Sequence, residues 1–227
     1  MPDAGLIELA MLQHADSMFP SGAVSFSWGL EALGNRGVVV DRDGLRDFMA
    51  AQLEGRWADM DRPMIWHAHH AGCDTDRIRY LDALVEAQTL GAEQRQGSRR
   101  MGAAMLAMHT RLGTPMAADL AAMAHAGALQ AHLPVMQGVL WRALGCPAET
   151  ALVMSAHGLC TGMLGAAIRL SIVGHMDAQQ IHTHMRARIE TVLNRTIQAA
   201  ERAHSFIPQI EIASMNHETD ETRLFVN

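Results

Sequence analysis

The sequence predicts an all-α fold: a single-domain helical bundle of about eight to ten helices with an irregular C-terminal tail. Three observations predict it. Apolar residues recur every three to four positions along most of the chain. Ala, Leu and Met, which are good helix formers, carry much of the apolar content, while aromatic residues make up only 4%. The longest β-branched run is Val38-Val39-Val40, too short for a sheet strand with turn signals on both sides. The 227 residues are enough to bury a real core. The helical body is assigned to residues 1–204 and the tail to 205–227.

In chain order, Leu6, Ile7, Ala10 and His14 keep a helical period behind Asp3, the expected N-cap. The stretch from Leu12 to Leu33, LQHADSMFPSGAVSFSWGLEAL, then places turn residues between two apolar helical segments. Pro20 fixes φ, Gly22 permits positive φ, and the serines can bond local backbone groups. A flexible link would be polar, but this one holds Phe19, Val24, Phe26 and Trp28, so an ordered, half-buried turn is expected. Ser27 or Ser25 can cap the next helix, and Gly34 or Gly37 can end it.

Asp41 or Asp43 caps a helix whose buried face is Leu45, Met49, Leu53 and Trp57. Asp61-Arg62-Pro63 reads as a new helix start with proline in the first turn, ending at Gly72. Asp74 or Asp76 restarts the helix, with Gly91 and Gly97 weakening its middle. Met101, Met105, Met108 and Leu112 form a stripe closed by Gly113 and Pro115. Met116–Ala126, His132–Leu144 and Ala148–Val173 follow. The last of these is the most apolar, and Gly158, Gly162 and Gly165 should give it a flat face for close backbone contact. The final helix carries Ile181, Met185, Ile189 and Ile197 behind a cap at Asp177. From Ser205 the period fails, and Pro208 breaks it.

Composition excludes several kinds of chemistry. The formal charge is −6, and all 18 basic residues are arginine. Without lysine there is no phosphate-binding P-loop and no Schiff base. A mildly acidic chain with no basic block is a poor nucleic-acid binder. Cys73, Cys146 and Cys160 are odd in number and far apart, so neither zinc spacing nor a disulfide framework is expected. There is no charged leader followed by an apolar h-region, which makes the cytoplasm the expected compartment. Ala151–Gly174 has the length of a membrane span, but it carries Ser155, His157, Thr161 and Arg169, and the rest of the chain reads as a core-forming bundle with no membrane role.

Candidate chemistry is sparse. Among the 13 histidines, His67 and His70 are three apart and share a helix face, where imidazoles could hold a nickel or zinc ion. Two ligands do not close a site, and a solvated helix face is the simpler reading. His157 and Cys160 read as core residues, and His182 as a polar residue beside the core stripe. No G-x-S-x-G elbow supports a serine hydrolase. No catalytic constellation emerges, and no resident cofactor is expected. What stands out is the Gly/Pro/Ser turn and an orphan apolar end, Arg223-Leu224-Phe225. Both suit gripping by other proteins.

These residues resemble the urease accessory protein UreF family. Pro20, Gly22, Ser25, Ser27, Gly29, Leu30 and Glu31 match its N-terminal signature. Asp61 and Pro63 match a D-x-P element. Glu93, Arg95 and Gly102 match an E-x-R run leading to a glycine. Gly138, Arg169-Leu170, Gly174 and Gln179 match later helices, and His217-Glu218-Thr219 with Arg223-Leu224-Phe225 match the tail. The chain departs from the pattern at its Val226-Asn227 ending, at Gly97, and in lacking a proline between Leu170 and Gly174.

The resemblance implies a non-enzymatic, all-helical scaffold that binds UreD (also called UreH), recruits or regulates the GTPase UreG, and helps load nickel into apo-urease, with nickel passing only transiently. It implies a homodimer in the complex. It also implies partner contacts at Pro20, Gly22, Ser25, Ser27, Gly29, Glu31, Glu93, Arg95, His217, Glu218, Thr219, Arg223, Leu224 and Phe225. A nickel-binding metallochaperone using His67 and His70 is the alternative. A GTPase-activating factor would use Arg95, Arg99 or Arg223.

Overall fold

The computed structural model describes residues 4–20, 22–217 and 224–225, and among them every regular element is helical. The α-helices are α1 (Ala4–Ala15), α2 (Leu30–Asn35), α3 (Arg42–Gln52), α4 (Arg62–Ala71), α5 (Thr75–Gln88), α6 (Ala92–Arg111), α7 (Ala117–His125), α8 (Leu133–Ala143), α9 (Ala148–Arg169), α10 (His175–Leu193) and α11 (Pro208–His217). The all-α reading therefore stands.

Several helix ends follow from local chemistry. Asp41 caps α3 by accepting from Gly44 N–H at 2.9 Å, and Asp74 caps α5 by accepting from Arg77 N–H at 2.9 Å. Asp3, expected to cap α1, lies outside the described residues. Asp177 is not the cap of α10. Gly174 holds that position, and Asp177 sits in the first turn, 3.4 Å from Arg42, where a carboxylate meets the positive end of the helix dipole. α9 ends at Arg169, and Ile197 lies beyond α10.

The expected boundary at Asp61-Arg62-Pro63 falls where α4 begins, with Pro63 in its first turn, but no break precedes it. The chain is already helical there: α3 runs through a π-helical segment, Leu53–Asp61, directly into α4. A wide turn lets Pro63 sit inside a continuous helix, because the freed carbonyls find other donors. Asp59 O, the carbonyl four residues before Pro63, accepts from His204 N–H at 3.0 Å and from Gln198 Nε2 at 2.7 Å. Gly55 O accepts from Phe206 N–H at 3.0 Å. The buried Arg62 guanidinium donates to the carbonyls of Val192, Arg195 and Thr196.

The core is centred on α4, α8 and α9. α8 packs between α4 and α6, and α9 also touches α1 and α10. Two close approaches make this possible. A Cβ on Gly138 would lie 2.8 Å from Ala68 Cβ and 2.9 Å from His69 N. One on Gly102 would collide with the Ala131 carbonyl and lie 2.8 Å from Leu133 N. The methionine stripe is core only at its N-terminal half: Met101 and Met105 are buried, and Leu112 is exposed. α9 has the length and apolarity to cross a membrane, and here 56% of its most apolar window is buried within the bundle.

Residues 205–217 differ from the irregular tail expected of them. Pro208 is the first residue of α11, where its missing N–H costs no helix bond. Ile207, Ile210, Ala213 and the distant Phe225 belong to the same apolar core as the body.

Candidate functional site

The Gly/Pro/Ser stretch folds as the ordered turn its apolar residues require. Gly22 opens a short 3-10 turn, Ala23–Ser25. Trp28 and Gly29 both take positive φ, 56° and 85°, which swings the chain into α2. Glycine is required at 29 for a second reason: a Cβ there would lie 2.9 Å from Ser214 Oγ on α11. Ser27 is buried, and its hydroxyl accepts from Glu31 N–H at 3.4 Å. Pro20 and Ser25 remain exposed.

The tail is seated on this turn. Glu31 is 4% exposed although it carries a carboxylate. Its two oxygens accept from Leu224 N–H at 2.7 Å and Phe225 N–H at 3.0 Å. The Phe225 ring is buried beneath the Arg169 guanidinium, 4.3 Å from the ring centre. Arg169 also donates to the carbonyls of Val24 and Gly165. Leu224 is 66% exposed. The turn and the end of the chain, far apart in sequence, therefore form one surface. His217 ends α11. Glu218, Thr219 and Arg223 lie outside the described residues.

Beneath that surface is a chamber of about 260 Å³, walled by α1, the turn, the π segment, α6, α8 and α9. Gly158, Gly162 and Gly165 line it. The flat glycine face of α9 thus serves open space and the Trp28 ring, which would collide with a Cβ at 162, rather than another helix backbone. Trp57 N–H donates to Ser155 Oγ, and Ser155 O–H donates to Gln137 Oε1. Four buried polar atoms on lining residues have no hydrogen-bond partner among the described residues: His14 Nδ1, Gln52 Oε1, Asp61 Oδ1 and Trp141 Nε1. Burial pushes the Asp61 carboxyl above its ordinary range, against the pull of Arg56 at 3.5 Å.

His14 closes one wall by stacking on His109, with centroids 4.5 Å apart, and Phe19 covers the pair. Burial, with the His14 charge adding to it, pushes His109 down to about 4. This pair was not legible in sequence, since it joins residues on α1 and α6.

Glu93 and Arg95 lie apart from the turn, in the first turns of α6. Glu93 is half-buried. Arg95 donates to the Thr89 and Leu90 carbonyls at 2.6 and 2.8 Å and lies 3.7 Å from Glu86. Arg99 pairs with both oxygens of Glu86. His132, fully buried, donates from Nε2 to Glu86 at 2.8 Å, and its Nδ1 meets Ser98 Oγ at 3.1 Å. Burial pushes Glu86 up, but the Arg99 and His132 hydrogen bonds outweigh it and hold the carboxyl below its ordinary value. This network was missed because its members come from α5, α6 and the start of α8.

His67 Nε2 donates to Gln198 O at 2.9 Å, and His70 Nδ1 donates to Trp66 O at 2.8 Å. No cluster of three or more His, Cys, Asp or Glu side chains able to hold a metal occurs among the described residues. Cys160 and Cys146 are buried thiols pushed up to about 12 and about 11 by burial, so they stay protonated and unreactive. His157 stands 5.0 Å from His182 across α9 and α10.

A family profile described as UreF matches residues 39–186. A urease accessory protein UreF of Trichodesmium erythraeum is 33% identical, covering 97% of each chain. UreF 1 of Brucella melitensis is 29% identical, over 96% of this chain and 92% of its own. UreF of an Arthrobacter species is 27% identical over the whole of both. With a profile spanning most of the chain and a relative matched nearly end to end, this protein belongs to the urease accessory protein UreF family.

Proposed function

We propose that this protein is a non-enzymatic cytoplasmic scaffold in assembly of the nickel centre of urease. It binds UreD (UreH), recruits the GTPase UreG and presents both to apo-urease, acting as a homodimer within that complex. Nickel is cargo in this reading and has no resident site on the chain. Family membership supports the maturation role. The observation that carries the docking role is the seating of Leu224 and Phe225 on Glu31. It brings the Pro20–Glu31 turn and the chain end onto one surface that a single partner can grip.

The arginines bear on how UreG is handled. Arg95 and Arg99 are spent on Glu86 and on the loop between α5 and α6. That favours a scaffold that orients UreG over one that inserts either arginine beside the nucleotide. Co-expression with UreD and UreG tests the reading. A stable complex holding all three on size exclusion, with no GTP hydrolysis or urea hydrolysis by this chain alone, is expected. Failure to co-elute with UreD overturns the docking role.

A further inference from the structure

We propose that α1 is a pH-operated latch: the neutral His14–His109 stack holds the helix on the bundle, and a proton on the pair releases it. α1 has little else to hold it. Among the described side chains of α1, His14 is the only buried one. Ile7, Met11 and Ala15 are half-buried, while Leu6, Leu9 and Leu12 are exposed. The helix packs chiefly against α9. At its C-terminal end, His14 lies on the fully buried His109 of α6, with ring centroids 4.5 Å apart and planes 19° apart. Phe19 covers the His14 ring at 4.4 Å.

Two neutral imidazoles stack well, but a charged one has no partner for its added proton. His109 Nδ1–H donates to Thr114 Oγ1 at 3.0 Å. His109 Nε2 and His14 Nδ1 are buried without a hydrogen-bond partner among the described residues. A proton added at either atom makes an N–H with no acceptor. No carboxylate offsets the charge. The charged groups on the surrounding elements are Glu8 and Asp16 on and just after α1, Arg111 on α6, Arg56 and Asp61 on the π segment, and Glu149 and Arg169 on α9. None of them acts on either ring: burial lowers His14, and burial with the His14 charge lowers His109. With α1 swung away, His14 regains water and its ordinary value of 6.5. The open form therefore binds more protons below that value. Opening becomes more frequent as pH falls, by up to about tenfold per pH unit for one proton. The apolar contacts that opening breaks are only half-buried, so it is a local event rather than unfolding.

Amide hydrogen exchange of the full chain at about pH 7 and about pH 5.5, corrected for intrinsic exchange rates, tests this. The opening equilibrium of the α1 amides is expected to rise about threefold or more at the lower pH, while α4 and α8 keep their protection. His14→Phe keeps a ring on His109 and removes the group that takes the proton, so its α1 amides are expected to open equally at both pH values. His14→Gln removes the ring as well and is expected to hold α1 less firmly, again without pH dependence. Equal α1 opening at both pH values in the parent overturns the proposal. So does a rise of the parent's size in either variant, or a matching loss of protection in α4 and α8, which would mean that acid loosens the whole bundle.

Discussion

Glu31 and Phe225 are 194 positions apart, yet the Glu31 carboxylate accepts the Phe225 N–H at 3.0 Å and the preceding Leu224 N–H at 2.7 Å. A carboxylate buried to this degree is stable only when its oxygens are satisfied. Tail and turn therefore depend on each other. Charge-assisted bonds of this type are worth about 1.5–3 kcal/mol each. Glu31→Ala is expected to lower hydrogen-exchange protection at Leu224 and Phe225 by about 10- to 100-fold while the protection of α4 and α8 is retained. Glu31→Gln, which keeps one acceptor, should lie between. Unchanged protection at the tail in both variants would contradict the seating.

Acid should weaken the fold through its buried histidines. In the unfolded chain His109 takes up a proton near its ordinary value of 6.5, whereas in the fold burial delays this to about 4. The unfolded state thus binds more protons between those values, and stability falls as pH drops through that window. The His109 share is as much as about 3 kcal/mol at the acid end. His14, His69, His132, His157 and His182 are all lowered by burial and act in the same direction. Asp61, raised by burial, acts in the opposite one. Urea unfolding between pH 7 and 4.5 should show this slope, and His109→Asn should flatten it. A slope identical in parent and variant would remove His109 from the account.

Close packing predicts a contrast among glycines. Gly102→Ala and Gly138→Ala place a Cβ against backbone atoms of neighbouring segments. Each should cost about 3 kcal/mol or more, at the upper end for overpacking, because backbone cannot step aside. Gly158→Ala meets no atom within 4 Å among the described residues and should be neutral or stabilising, since alanine is the better helix former. Denaturant midpoints at constant m-value decide between these.

The Glu86 hub makes the α5–α6 junction sensitive to charge. Glu86→Gln leaves Arg99 and Arg95 without their carboxylate and His132 with a neutral acceptor. A loss of about 1–3 kcal/mol is expected, discounted because both arginines are partly solvated. If Arg95→Ala and Arg99→Ala instead leave stability unchanged and abolish GTP turnover in the assembled complex, the arginines act on the nucleotide rather than on Glu86.

The histidine pair on α4 should not hold nickel on its own. His67 and His70 are each already engaged through one ring nitrogen with backbone carbonyls, and no third ligand stands with them among the described residues. Calorimetric titration of nickel into the protein should look the same before and after the double change His67→Ala and His70→Ala. Loss of a stoichiometric site in the variant would support the metallochaperone alternative.

The helical body was legible because α3, α8 and α10 carry periodic apolar residues between recognisable ends. Two misreadings came from proline. Pro63 sits inside a continuous helix because a π segment and the 198–206 strand of chain satisfy the freed carbonyls. Pro208 opens a helix rather than breaking one. Both outcomes depend on tertiary partners that local propensity does not contain. At the site, Glu31 was singled out by resemblance, and an isolated carboxylate in the apolar run Leu30–Leu33 was its only physical signal. The chamber, the His14–His109 stack and the Arg169 guanidinium over the Phe225 ring join residues from distant elements, so no spacing announces them.

The central claim is that the Pro20–Glu31 turn and the chain end form one surface made for another polypeptide. Its most direct test is the affinity of purified UreD for the parent chain and for folded Phe225→Ala and Pro20→Ala variants. Weakening of at least about tenfold in both, equivalent to about 1.4 kcal/mol, with thermal unfolding near that of the parent, is the predicted result. Equal affinity for all three proteins would contradict it.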